Sequence, residues 1–154
     1  MFSVSNMKKS KKFYNPIMKY FGFKGPGTGD MAFYEASDGL TIVLAAAEKK
    51  SEITRNIHFA FSTTNRKQVN KFYELAMAAG GKSEGKPGIR ANYGPNYYGA
   101  FVLDPDGNNI EAVCYRKPNK LRIGTESRLI ILTRVLNTLR VKLLAIKTPK
   151  FRCR

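Results

Sequence analysis

The chain has 154 residues, 43% of them apolar and 12% aromatic, a composition that excludes a disordered chain and allows one sizeable core. Its net charge of +16 is uneven: residues 1–115 carry 15 Lys/Arg against 10 Asp/Glu, a net of +5, and residues 116–154 carry 12 against 1, a net of +11. Two cysteines, Cys114 and Cys153, exclude a disulfide framework, and the opening MFSVSNMKKSKKFYN has no apolar run of the signal-peptide kind, so a reducing, cytoplasmic setting is expected.

The first element returns later in the chain. FSVSNMKKSKKFY (2–14) matches FSTTNRKQVNKFY (61–73) at an offset of 59. Each copy predicts a strand, a cap and a helix. In the first, Asn6 is the cap and Gly22 the stop; Pro16 lies inside the helix and predicts a kink or an early end. The glycine-rich GPGTG (25–29) precedes no helix, which argues against a phosphate cradle. YEASDGLTIVLA (34–45) then predicts a hairpin turning at Asp38-Gly39.

In the second copy Ile57, Phe59 and Phe61 alternate with His58, Ala60 and Ser62, the period of a half-buried strand. Asn65 with Gln68 forms a capping-box pattern, and Val69, Phe72, Tyr73 and Ala76 follow at helical spacing up to AAGG. VLDPDGNNIEAV (102–113) repeats the first hairpin around Asp106-Gly107, with nine extra residues held in GKSEGKPGIRANYGPNYY (81–98). The expectation is an α+β fold: two tandem β-α-β-β-β modules, 1–50 and 55–115, in one domain of residues 1–115. Side by side they should form a curved mixed sheet, a cup with a concave face.

Alternation sets the faces. Ile110, Ala112 and Cys114 should lie on the helix side, leaving Asn109, Glu111 and Val113 in the cup with His58, Ala60 and Ser62. His58 is the only histidine of the chain. Imidazole and carboxylate on neighbouring strands read either as two ligands of a divalent ion or as a buried His–Glu hydrogen bond that keeps the carboxylate paired.

Beyond residue 115 the chain changes character. Leu129, Leu132, Leu136, Leu139, Leu143 and Ile146 form a helical stripe, so residues 116–154 are expected to be a basic, helical extension. Arg134, Arg140 and Lys142 interrupt LIILTRVLNTLRVKLLAI and argue against a membrane span. Docking on the domain, pairing with another copy, contact with nucleic acid or an anionic membrane, and an extension with no selected role all remain open for it.

The duplication, IHFAF followed by FYELAMAAGG, and YYGAFVLDPDGNNIEAVCY together resemble the vicinal oxygen chelate superfamily over residues 2–115. That superfamily holds glyoxalase I, extradiol dioxygenases and bleomycin-resistance proteins. The resemblance implies a divalent metal (Zn, Fe, Mn or Ni) in the cup, with His58 and Glu111 as ligands. The first module's matching positions are one that precedes Met1 and Val43, so half of a four-ligand set is present and a further upstream stretch is expected. It also implies a role for the longer loop, where Arg90, Tyr93 and Tyr97 would bind an anionic or aromatic substrate. The function implied is a small metal-dependent lyase or oxygenase acting on a bidentate oxygen substrate. The alternative is a metal-free protein that binds a small ligand in the same cup, a cationic ligand being disfavoured by the charge of +16. Module pairing within one chain and pairing across a homodimer are both compatible with the resemblance.

Overall fold

The computed structural model describes residues 1–27 and 30–117. The basic extension beyond residue 117, with the helix expected there, lies outside the described residues.

The first unit runs β1 (Phe2–Val4), α1 (Met7–Tyr20), β2 (Met31–Glu35) and β3 (Thr41–Ala46). The second runs β4 (His58–Ser62), α2 (Arg66–Ala78), β5 (Lys82–Ile89), β6 (Tyr98–Leu103) and β7 (Asn109–Cys114). The caps are those expected. Asn6 Oδ1 accepts from the Lys9 amide at 2.9 Å, and Asn65 Oδ1 accepts from the Gln68 amide at 3.0 Å. Gln68 reaches one residue past the usual partner, its Oε1 accepting from the Thr64 amide at 2.9 Å. Both helices stop in the same way, with the Phe23 amide donating to Met18 O and the Gly81 amide to Ala76 O, each at 2.9 Å.

Pro16 does not end α1, which continues to Tyr20. The carbonyl that Pro16 leaves without an amide partner belongs to Lys12, on the exposed face of the helix, where water can serve it.

The expected curved mixed sheet is not formed. The strands make two separate sheets, ordered β1-β3-β2 and β4-β7-β6-β5, and neither is curled into a cup. Two physical causes act in the first unit. Only two strands follow α1 instead of three, because the segment after Phe23 touches β2 through a single bridge, Lys24 to Glu35. Pro26 has no N–H to extend that pairing, and it accepts one bond from the Phe33 amide at 2.9 Å. A side chain at Gly25 would meet the Phe33 carbonyl oxygen at 2.0 Å, so the close crossing requires glycine. The other cause is the shortness of β1, three residues that pair with β3 alone.

Side chains, not a shared sheet, join the units. Phe21 stacks on Phe61 with ring centroids 4.3 Å apart, and Phe2 meets Phe59 edge-on at 6.2 Å. Phe13, Ile17, Phe72, Val69, Leu44 and Ile110 lie fully buried in the same core. The Asp104–Asn108 turn adds a polar latch. Tyr14 Oη donates to Asp104 Oδ2 at 2.7 Å, and the Ser5 amide donates to Asp106 Oδ2 at 3.1 Å. Asn108 Nδ2 donates to Thr54 O at 3.0 Å, tying the turn to the linker between the units. Burial, then the Asp104 carboxylate, holds the Tyr14 phenol well above its ordinary pKa.

Tyr14→Phe removes one donor from a buried carboxylate and should lower folding stability by roughly 1.5–3 kcal/mol in urea denaturation. A loss below about 0.5 kcal/mol would show that the aromatic contacts hold the units together without the latch.

Candidate functional site

The second sheet places every candidate residue on, or at the edge of, one face. In β4 and β7, His58 is paired in register with Asn109, and Ala60 with Glu111. The helix side takes Phe61, Ile110, Ala112 and Cys114, all buried, as alternation requires. The opposite face presents His58 and Glu111 from β4 and β7, with Gly99 and Phe101 from β6, which pair in register with Val113 and Glu111.

Glu111 is 1% exposed, and a buried carboxylate is costly unless both oxygens find donors. Both do. His58 Nε2 lies 2.7 Å from Glu111 Oε2, and Tyr97 Oη donates to Glu111 Oε1 at 2.5 Å. An ionised Glu111 accepts from both partners when the imidazole proton sits on Nε2, leaving Nδ1 as the unprotonated nitrogen. The His58 side chain is 35% exposed, so the pair runs from the interior toward solvent. Burial, then the hydrogen bond to Glu111, raises the Tyr97 phenol far above its ordinary value, so it stays a neutral donor.

Phe101 extends the site sideways. Its ring lies 6.0 Å from the His58 ring, and the Arg90 guanidinium sits 5.4 Å from its centroid. Glycines make the room: a side chain at Gly85 would meet Arg90 Nη2 at 2.9 Å, and one at Gly99 would meet Glu111 Oε1 at 3.0 Å. Arg90 Nη2 also donates to Lys86 O at 2.6 Å. Tyr93 is 67% exposed and packs edge-on to the Tyr97 ring at 5.1 Å, and Tyr115 also meets Tyr97 edge-on, at 5.2 Å. Beside them Ile89, Arg90, Ala91, Asn92 and Tyr93 bound an open cavity of about 230 Å³.

The five residues singled out in the sequence therefore form one connected patch, with Tyr97 committed to Glu111 instead of facing outward. Phe101 and Tyr115 escaped sequence reasoning. Their signal was present, since Phe101 shares the parity of Gly99 in YYGAFVL and Tyr115 keeps the parity of Glu111 and Val113.

Within the described residues the donor set falls short of what a resident metal ion takes. Among the described residues no group of three or more His, Cys, Asp or Glu could hold one. The two strong candidates, His58 and Glu111, are bonded to each other, and the neutral phenol of Tyr97 takes the remaining carboxylate oxygen. Among the described residues no helix is long and apolar enough to cross a membrane; the interrupted apolar stretch considered in the sequence lies outside them.

This duplicated strand–helix plan and its last-strand carboxylate define a class. The chain belongs to the Glyoxalase/Bleomycin resistance protein/Dioxygenase superfamily, whose family model matches residues 1–112. Among solved structures it is similar to a glyoxalase/bleomycin resistance protein from Albidiferax ferrireducens T118, with 28% identity and a TM-score of 0.62, covering 74% of this chain and 93% of that one. A possible glyoxalase from Bacillus cereus gives 24% identity and a TM-score of 0.54, covering 73% and 93%. A glyoxalase-related enzyme from Fulvimarina pelagi gives 18% and 0.58, covering 82% and 91%. No curated protein matches.

Tyr97→Phe should cost roughly 1.5–3 kcal/mol near neutral pH, because it takes a donor from a buried carboxylate. The folded phenol titrates above the unfolded one, so this contribution is full below about pH 10 and declines as pH rises further. Urea midpoints of wild type and variant should keep their gap up to about pH 10 and converge as pH rises above it. A gap that widens with pH would contradict the neutral-donor assignment.

Proposed function

We propose that the chain binds a small neutral or anionic molecule at the edge of the second-sheet face that carries His58, Glu111 and Phe101, without a resident metal. One observation carries the reading: both oxygens of the buried Glu111 are satisfied by His58 and Tyr97, a closed hydrogen-bond network. A closed network is a rigid wall, which suits a binding surface better than an open coordination sphere. Within it the His58 nitrogen that is not bonded to Glu111 is left to hydrogen-bond the ligand. Arg90, over the Phe101 ring, supplies the positive end. Tyr93 and the adjoining cavity offer an aromatic side. The net charge of +16 disfavours a cationic ligand.

A second reading, a metal-dependent lyase or oxygenase, rests on superfamily membership and one local observation. Asn109 Oδ1 is buried without a hydrogen-bond partner, and Asn109 is the register partner of His58. That oxygen would be a third, weak donor. A Zn, Fe, Mn or Ni ion would have to break the His58–Glu111 bond and draw further ligands from outside the described residues.

Calorimetric titration with benzoate and with catechol separates the two readings. The binding-protein reading predicts that one of them binds equally well with and without EDTA, and that Arg90→Ala weakens benzoate about tenfold or more. Binding of either probe that appears only after adding a divalent ion, and vanishes in His58→Ala, would establish the metal-dependent reading instead.

A further inference from the structure

The helices carry the charge imbalance of the described body. Residues 1–117 hold 17 Lys/Arg and 10 Asp/Glu, a net of +7. Helix α1 has five lysines and no acidic residue, and α2 has Arg66, Lys67 and Lys71 against Glu74. The two helices therefore net +7, and all the strands and loops together net zero.

The lysines of α1 are aligned. At 3.6 residues per turn, Lys8, Lys12 and Lys19 fall within about 40° of one another, opposite the buried Phe13 and Ile17. Lys9 and Lys11 flank the row, one on either side. All of Lys8, Lys9, Lys12 and Lys19 are exposed, and none has an ion-pair partner among the described residues. The arrangement works against the helix. Lys8 with Lys12 and Lys9 with Lys12 are like-charge neighbours at helical spacing, and Lys8 and Lys9 sit in the first turn, where the helix dipole favours acids. A surface shaped only for solubility would intersperse acids.

We propose that this face of α1 binds the phosphate backbone of a nucleic acid. The row from Lys8 to Lys19 is about 16 Å long, the axial rise of about five phosphates of one duplex strand. Lysines on a rigid helix act as point charges on phosphate and read no bases, so the contact is sequence-independent. A lipid surface is the poorer fit. Among the described residues the exposed large apolar side chains Met1, Met31, Phe33, Ile89, Tyr93 and Tyr115 lie outside both α-helices, Met77 lies on α2, and none lies on α1, whose apolar face is spent in the core.

The test uses the full 154-residue chain, because residues 116–154 carry a net +11 of their own. Fluorescence anisotropy with a labelled mixed-sequence DNA duplex is read over a series of salt concentrations. The variant Lys8→Gln/Lys12→Gln/Lys19→Gln should flatten the slope of log K against log salt by roughly 2–3, and weaken low-salt binding at least about tenfold. Lys24→Gln/Lys49→Gln/Lys50→Gln loses the same charge elsewhere and should stay near wild type. Helical circular dichroism checks that both variants fold. Equal effects of the two triple variants, or no effect of the first, would overturn the proposal. So would phosphatidylserine vesicles that bind wild type more tightly than the duplex does, through the same three lysines.

Discussion

A carboxylate sits in the middle of the last strand where almost no solvent reaches it, and the site is arranged to make that tolerable. Glu111 at 1% exposure needs a donor on each oxygen. His58 comes from the neighbouring parallel strand and Tyr97 from the start of the adjoining antiparallel one. Those two bonds fix the tautomer of His58, keep Tyr97 protonated and turn its ring toward Tyr93 and Tyr115. Gly99 is part of the same constraint, because a side chain there would press on the carboxylate.

The two units share an ancestry legible in their caps, turns and helix stops, yet they have diverged in what they carry. Val43 stands on β3 where Glu111 stands on β7, and the first sheet shows Phe33 and Met31 to solvent where the second shows a polar network. The first unit also lost regularity after its helix, where Pro26 and the crossing at Gly25 leave one bridge in place of a strand. Its contribution is structural: Tyr14 and Phe21 reach into the second unit and hold it. The Glu111 network lies in one half, and the other packs against it.

Local signals were legible in the sequence because they are local. Asn6 and Asn65 cap, Gly39 and Gly107 turn at positive φ, and strand parity set the facing of His58 and Glu111. The curved sheet was not legible, and its absence has a cause that periodicity does not report. Whether a segment such as 22–27 pairs as a strand depends on which amides survive proline and how closely another strand crosses. The role of Tyr97 was half legible. It was expected to meet a substrate, but its partner across the sheet, Glu111, is a long-range contact that no spacing reveals. The lysine row of α1 was visible as letters and became informative only once the buried face of the helix was known.

The closed Glu111 network carries its own probe, since His58 is the single histidine of the chain. Nitrogen-15 NMR of the imidazole, recorded before and after one equivalent of Zn²⁺, is the most direct measurement. A closed network predicts a proton held on Nε2 in the hydrogen-bond range, with resonances that zinc leaves in place. Loss of the Nε2 proton together with a metal-induced shift of that nitrogen would contradict it and make Glu111 and His58 a ligand pair.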